Sequence, residues 1–254
     1  MINKSVLVSI VTPAFNSSEF IIYTYESIKS QSISNWELLI TDDCSSDNTL
    51  NVLKKLSETD NRVKVFKNKI NSGAAVSRNN SISHSKGKYI AFIDSDDLWL
   101  PSKLETQIEF MENNLVDFSF TSYELVDSNG FLLNKIVDCH GIKSVSYDDM
   151  LRKKATLGCS TVMLRRTAFD DISMPLIRTG QDYGLWLKLL KTGVNAYLIP
   201  DVLTQYRILP DSISRNKMKK AKRQWQIYRE IEKLPLLKSI ECFCFYAWRA
   251  VFRK

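Results

Sequence analysis

Three carboxylates in four residues, Asp94-Ser95-Asp96-Asp97, close the apolar run Lys88-Tyr89-Ile90-Ala91-Phe92-Ile93. At a few ångströms they repel one another unless a cation or fixed hydrogen-bond donors offset them. A divalent metal held by hard oxygen ligands, and itself holding a phosphate, is one arrangement that would do so. An Asp-rich turn that caps the next helix is the other. Two further polar clusters follow apolar runs in the same way: Thr12-Pro13-Ala14-Phe15-Asn16 and Asp42-Asp43. No G-x-G-x-x-G follows the first run and no G-x-x-x-x-G-K-[ST] occurs anywhere, so neither glycine-rich phosphate cradle is available. A bound phosphate would therefore lean on a metal, which puts weight on Asp94 and Asp96.

The elements that must position these residues follow from periodicity. Residues 6–11, 36–41, 63–66 and 89–93 are short, apolar and rich in β-branched or aromatic side chains, and read as buried strands. Between them, helical spacing runs through Phe20, Ile21, Tyr25 and Ile28, through Leu50, Leu53 and Leu56, and over 74–83. Pro101 opens a further helix at the first-turn position where proline is tolerated. This alternation predicts a mainly parallel, doubly wound α/β sheet, in which ligands bind outside the carboxyl ends of the strands. All three polar clusters fall on that edge.

After Asn113 the pattern changes. Residues 116–126 and 131–137 read as strands around the turn Asp127-Ser128-Asn129-Gly130, with another strand at 160–164. A loop follows at 170–180, then a helix at 183–191 and a strand at 196–199. One domain, 1–214, is expected, with a nucleotide-binding front (1–113) and a smaller acceptor-binding back (114–214), ahead of a helical tail at 215–254.

Bulk properties narrow the setting. The 254 residues carry a net charge of +7, and residues 215–254 alone account for +9, which leaves the rest at −2. Cys44, Cys139, Cys159, Cys242 and Cys244 are odd in number and form no C-x-x-C pair, which suggests reduced thiols in a cytoplasmic protein. The start lacks signal-peptide anatomy, and no apolar stretch reaches the roughly 18 residues of a spanning helix. In the tail, Arg215, Lys217, Lys219, Lys220, Lys222 and Arg223 precede Pro235 and an apolar, aromatic segment at 236–252. On a helix, Lys238, Glu241, Arg249 and Arg253 form one narrow polar stripe. The segment reads as an interfacial helix on an anionic inner-membrane surface, or as a helix packed on the catalytic domain. Bases and aromatics sit in separate blocks without a recognition motif, which argues against nucleic acid.

Taken together, Val8-Ser9-Ile10-Val11-Thr12-Pro13-Ala14-Phe15-Asn16, Leu39-Ile40-Thr41-Asp42-Asp43-Cys44-Ser45-Ser46-Asp47-Asn48-Thr49 and Phe92-Ile93-Asp94-Ser95-Asp96-Asp97 resemble family 2 glycosyltransferases of the GT-A fold. Gly180-Gln181-Asp182-Tyr183-Gly184-Leu185-Trp186-Leu187 and Tyr206-Arg207-Ile208-Leu209-Pro210-Asp211-Ser212-Ile213-Ser214 are similar to that family's second half. The likeness is greatest to bacterial enzymes that build O-antigen or similar surface polysaccharides. It implies that Thr12, Pro13 and Asn16 line the nucleotide pocket, and that Asp43 accepts from the uracil N–H. It implies that Asp94 contacts the ribose, that Asp96 coordinates Mn²⁺ or Mg²⁺, and that Arg78 and Arg207 lie near the donor diphosphate, Arg207 in one loop with Ser212 and Ser214. Asp97 would be a supporting or capping residue. Asp182 falls on the catalytic base, with Gln181 where the family has Glu, and Cys44 stands where many relatives have Gly. Trp186 is expected in the core or the pocket wall, and His84 and His140 in structural or surface roles. The implied reaction is inverting transfer of a hexose from a UDP-sugar to an undecaprenyl-diphosphate-linked acceptor at the cytoplasmic face of the membrane. A sugar nucleotidyltransferase or a non-catalytic sugar-nucleotide-binding scaffold are the rival readings. The first would carry a basic, Gly-rich loop that residues 12–18 lack; the second could dispense with Asp96 or Asp182, and both are present.

Overall fold

The computed structural model describes residues 5–138, 141–209 and 217–252. In chain order the elements are β1 (Val8–Ala14), α1 (Ile21–Lys29), β2 (Trp36–Asp42), α2 (Thr49–Thr59), β3 (Val63–Lys67), α3 (Ala74–Ser83) and β4 (Tyr89–Phe92). They continue with β5 (Leu98–Trp99), α4 (Lys103–Asn113), β6 (Phe118–Val126), β7 (Leu132–Val137), β8 (Ser144–Val145), α5 (Tyr147–Leu151) and β9 (Val162–Arg165). The last are α6 (Gln181–Leu190), β10 (Ala196–Arg207), α7 (Lys217–Gln226) and α8 (Leu236–Phe252).

The strands form one mixed sheet in the order β3-β2-β1-β4-β9-β6-β10-β5, with β7 on β6 and β8 on β10. β3, β2, β1 and β4 are parallel, as the alternation of strands and helices requires. β9 then enters antiparallel between β4 and β6, so the sheet runs unbroken through both halves of the chain. Its two faces pack separate cores. Val8, Ile10, Ala91 and Ile93 point to one, and Val11, Ile90 and Phe92 to the other, which is why these strands read as continuous apolar runs.

Two departures from the sequence reading have local causes. The strand expected at 196–199 continues to Arg207, because a register shift between Ile199 and Val202 accommodates Pro200 without ending the ladder. α5 is short, and it starts at a reciprocal capping box between Ser146 and Asp149. The tail does not stand apart. Ile227, Tyr228 and Cys242 join the core under α6, and the Tyr228 hydroxyl donates to the Leu151 carbonyl at 2.5 Å.

Lys103 is fully buried at the start of α4, with its Nζ 3.8 Å from the Trp99 ring centroid and no hydrogen-bond partner among the described residues. Burial pushes this amine well below its usual range. Between its lowered folded value and the unfolded value near about 10.4 the unfolded chain binds more protons here than the folded chain, so stability rises with pH through that window. Lys103→Met should raise stability at pH 7 by about 1–3 kcal/mol, with the advantage shrinking towards pH 10. Urea unfolding of both proteins across that range is the check; a variant less stable at pH 7 would show that the buried amine is favourable.

Candidate active site

A cleft of about 320 Å³ opens at the carboxyl ends of β1, β2 and β4, and Pro13, Phe15, Asp43, Arg78, Asp94 and Asp96 are among its walls. Five residues singled out from the sequence thus meet at one place. Each strand delivers its polar cluster at the point where its apolar run ends, and α3 delivers Arg78 from the facing side.

Asp43 is 3 % exposed and accepts from three donors of the following loop. Asn68 Nδ2 and the Ser72 amide reach its Oδ1 at 2.7 and 2.8 Å, and the Gly73 amide reaches its Oδ2 at 2.7 Å. A carboxylate offers about four acceptor positions, so these leave one for a ligand N–H. Asn16, with φ of 47°, shapes this rim from outside the cleft wall: its Oδ1 accepts from the Ser46 amide at 2.9 Å. Cys44, at φ of 61°, holds the left-handed conformation that favours glycine. Thr12 is completely buried in β1 and lies behind the wall, not in it.

Arg78 forms an ion pair with Asp94, the closest charged contact in the cleft. Burial opposes its charge, but Asp94, followed by Cys159 and Asp182, holds the guanidinium above its ordinary value. Asp182 is not among the residues that wall the cleft. It stands in the first turn of α6, whose N-cap is Gly180, so capping is not its role. The next residue on α3, Asn79, fixes the loop leading to α6: it accepts from the Met174 amide at 2.7 Å and donates to the Met174 carbonyl at 2.9 Å.

Asp97, 1 % exposed, caps no helix. Its carboxylate accepts from Ser160 Oγ and from the Arg207 amide at 3.0 Å, and Ser160 Oγ in turn accepts from the Asp94 amide at 3.0 Å. The Arg207 side chain lies beneath the acid turn, outside the cleft wall. Its Nε donates to the Asp96 carbonyl at 2.9 Å and its Nη1 to the carbonyls of Asp127 and Ser128 at 3.2 and 3.0 Å. Asp96 is left with the repulsion. Burial, and then Asp94, pushes its carboxyl up to about 6. A cation beside Asp96 would relieve both penalties, and its hard oxygens suit Mn²⁺ or Mg²⁺. Among the described residues no group of three or more His, Cys, Asp or Glu could hold a metal alone.

Trp186 is a core residue. It is fully buried, donates to the Leu157 carbonyl at 3.1 Å and packs against Phe92 and Phe118. His84 stacks on Phe66 away from the cleft. Ser212, Ser214 and His140 lie outside the described residues. The sequence reading passed over Ser160 and Asn79. A signal for α3 did exist, since Ser77, Arg78 and Ser81 put polar side chains on its buried face.

The family described as Glycosyl transferase family 2 matches residues 9–173. TuaG of Bacillus subtilis (strain 168), a glycosyltransferase assigned to teichuronic acid biosynthesis, is 44% identical over 254 residues, the full length of both chains. WfgD of Escherichia coli, a UDP-Glc:α-D-GlcNAc-diphosphoundecaprenol β-1,3-glucosyltransferase, is 38% identical over 91% of this chain and 88% of its own. Among solved structures, Staphylococcus aureus TarS (residues 1–349) with UDP-GlcNAc aligns with a TM-score of 0.70 at 19% identity, covering 88% of this chain and 67% of that one. The mannosyltransferase PcManGT of Pyrobaculum calidifontis, with GDP-Man and Mn²⁺, aligns at 0.69 and 16% identity over 96% and 70%. At these identities the two structures speak for the fold alone, which is GT-A.

The two members of the ion pair should respond unequally to substitution. Arg78 is 5 % exposed and cannot shed its proton, whereas the Asp94 side chain is 29 % exposed. Asp94→Ala should cost about 3–5 kcal/mol and Arg78→Met about 1–3 kcal/mol, measured by denaturant unfolding. The reverse order would mean that Asp182 alone suffices to hold the arginine.

Proposed function

The chain belongs to glycosyl transferase family 2, and from that premise we propose that it moves a hexose from a UDP-sugar to a sugar hydroxyl on an undecaprenyl-diphosphate-linked acceptor, with inversion at the anomeric carbon. The observation that carries this reading is the cleft at the carboxyl edge of the sheet that gathers Asp43, Asp94 and Asp96, with Asp94 paired to the buried Arg78. The lipid-linked acceptor is supported by the names of WfgD and WfaP, each 38% identical to this chain.

On this reading Asp43 accepts from the ring N–H of uracil, a base that presents a donor to a group able only to accept. Pro13 and Phe15 wall the nucleotide, with Thr12 supporting them from behind. Asp94, held by Arg78, receives the ribose, while Arg207 sets the Asp96 backbone from below and Asn16 fixes the rim. Asp96 would hold Mn²⁺ or Mg²⁺, with Asp94 beside it. The cation, when bound, supplies neutralising charge at the departing diphosphate. Asp182 takes the proton from the attacking hydroxyl as its oxygen bonds to the anomeric carbon and the bond to the diphosphate breaks. The reaction takes place at the cytoplasmic face of the membrane that holds the lipid, with the tail on its anionic surface.

Two substitutions separate these roles. Asp182→Asn should lower turnover by about 10²–10⁴-fold with donor affinity retained, as read by steady-state kinetics and calorimetry; near-normal turnover would remove Asp182 as the base. Asp96→Ala should abolish transfer and leave the fold intact, and the unaltered protein should lose activity in EDTA. Full activity in EDTA would remove the metal from the mechanism.

A further inference from the structure

α8 is turned in a direction that its sequence leaves open. Two of its charged residues are engaged by the domain: Glu241 pairs with Arg152, the residue that closes α5, at 2.8 Å and Lys238 with Asp148 of α5 at 3.5 Å. Ser239 and Cys242 are buried on the same side, so the helix is held against rolling. The opposite side is apolar and faces outward. Leu237 is 82 % exposed, Trp248 56 %, Leu236 54 % and Ile240 45 %. Large apolar side chains gathered on one exposed helix face are unusual in a protein that meets only water.

The charge beside this face indicates what meets it. α7 has the sequence KMKKAKRQWQ, with no acid; Arg223 turns to Thr179 of the domain at 3.0 Å, and Lys220 and Lys222 are exposed. It is tied to α8 through the edge-on contact of Trp225 with Phe243. No described helix is long and apolar enough to cross a membrane. An apolar helix face next to a basic helix matches the layered chemistry of a bilayer surface, acyl chains under anionic headgroups.

We propose that the outward face of α8 and the exposed Lys220 and Lys222 of α7 form one docking surface for an anionic lipid bilayer, with α8 lying in the interface. This deepens, and for its purpose rests on, the reading that the acceptor is held in a membrane by its lipid. The salt bridges from α8 to α5 would then set the tilt of the whole domain on the bilayer.

The test is flotation of the full-length protein with vesicles of phosphatidylcholine alone and of phosphatidylcholine mixed with phosphatidylglycerol. The protein should float with the anionic vesicles only, and less so as salt is raised. Leu237→Glu with Ile240→Glu should abolish flotation without lowering the thermal midpoint, since both side chains point away from the domain. Lys220→Glu or Lys222→Glu should weaken binding at least about fivefold each. Equal flotation of the Leu237→Glu, Ile240→Glu protein, or no flotation of the unaltered one, would overturn the proposal. So would concentration-dependent dimers, lost on Leu237→Glu, in a protein that does not float, which would assign the face to a second copy of the chain. Transfer to a water-soluble acceptor analogue is measured separately. Transfer without flotation overturns the docking surface alone, and flotation without transfer overturns the functional reading alone.

Discussion

Arg78 carries a charge that it cannot lose in a place where charge is costly. A guanidinium stays protonated at any ordinary pH, so burying it obliges the fold to bring acids to it. Asp94 comes from the end of β4 and Asp182 from the first turn of α6, two elements on opposite sides of the 113/114 division. The arginine thus pairs with the end of β4 from its place on α3. α3, which carries it, also clamps Met174 through Asn79, so the same helix sets the loop from which α6 departs. One helix thus holds both the acid at the end of β4 and the loop that precedes Asp182.

Around this pair the acid turn is divided by environment. Asp97 points down into hydrogen bonds with Ser160 and the Arg207 amide, and Asp94 points across to Arg78. Asp96 faces the cleft with its charge opposed by burial and by Asp94. Three identical side chains thereby acquire three environments: Asp97 anchors the turn, Asp94 pairs with the arginine, and Asp96 faces the cleft without a cationic partner of its own among the described residues. The Arg207 side chain completes the support by gathering the Asp96, Asp127 and Ser128 carbonyls, which ties the turn to the β6–β7 hairpin.

Much of this was legible in the sequence, for reasons that can be named. The buried strands end in polar clusters because ligand chemistry collects at the carboxyl edge, and that order placed Asp43, Asp94 and Asp96 in one cleft before any coordinates. α3 spans Ala74–Ser83, where its periodicity predicts it. What stayed hidden depends on partners far along the chain. Asp97 resembles a helix cap until Ser160, 63 residues later, is seen to take its carboxylate. β10 seems to end at Pro200 until its pairing with β6 shows that the ladder resumes. The tail could face either way from its own residues; Asp148 and Arg152, about ninety residues upstream, decide that its charges turn inward.

The central claim is that one cleft, organised by Arg78, binds a UDP-hexose and delivers it to a lipid-linked sugar. It is tested most directly by incubating the purified protein and a divalent cation with a panel of UDP-sugars and a synthetic N-acetylhexosaminyl-diphosphate-lipid, and weighing the products. A single hexose added to the lipid-linked sugar, with one UDP released for each, is the expected result. An acceptor left unchanged by every UDP-hexose in the panel would contradict the account.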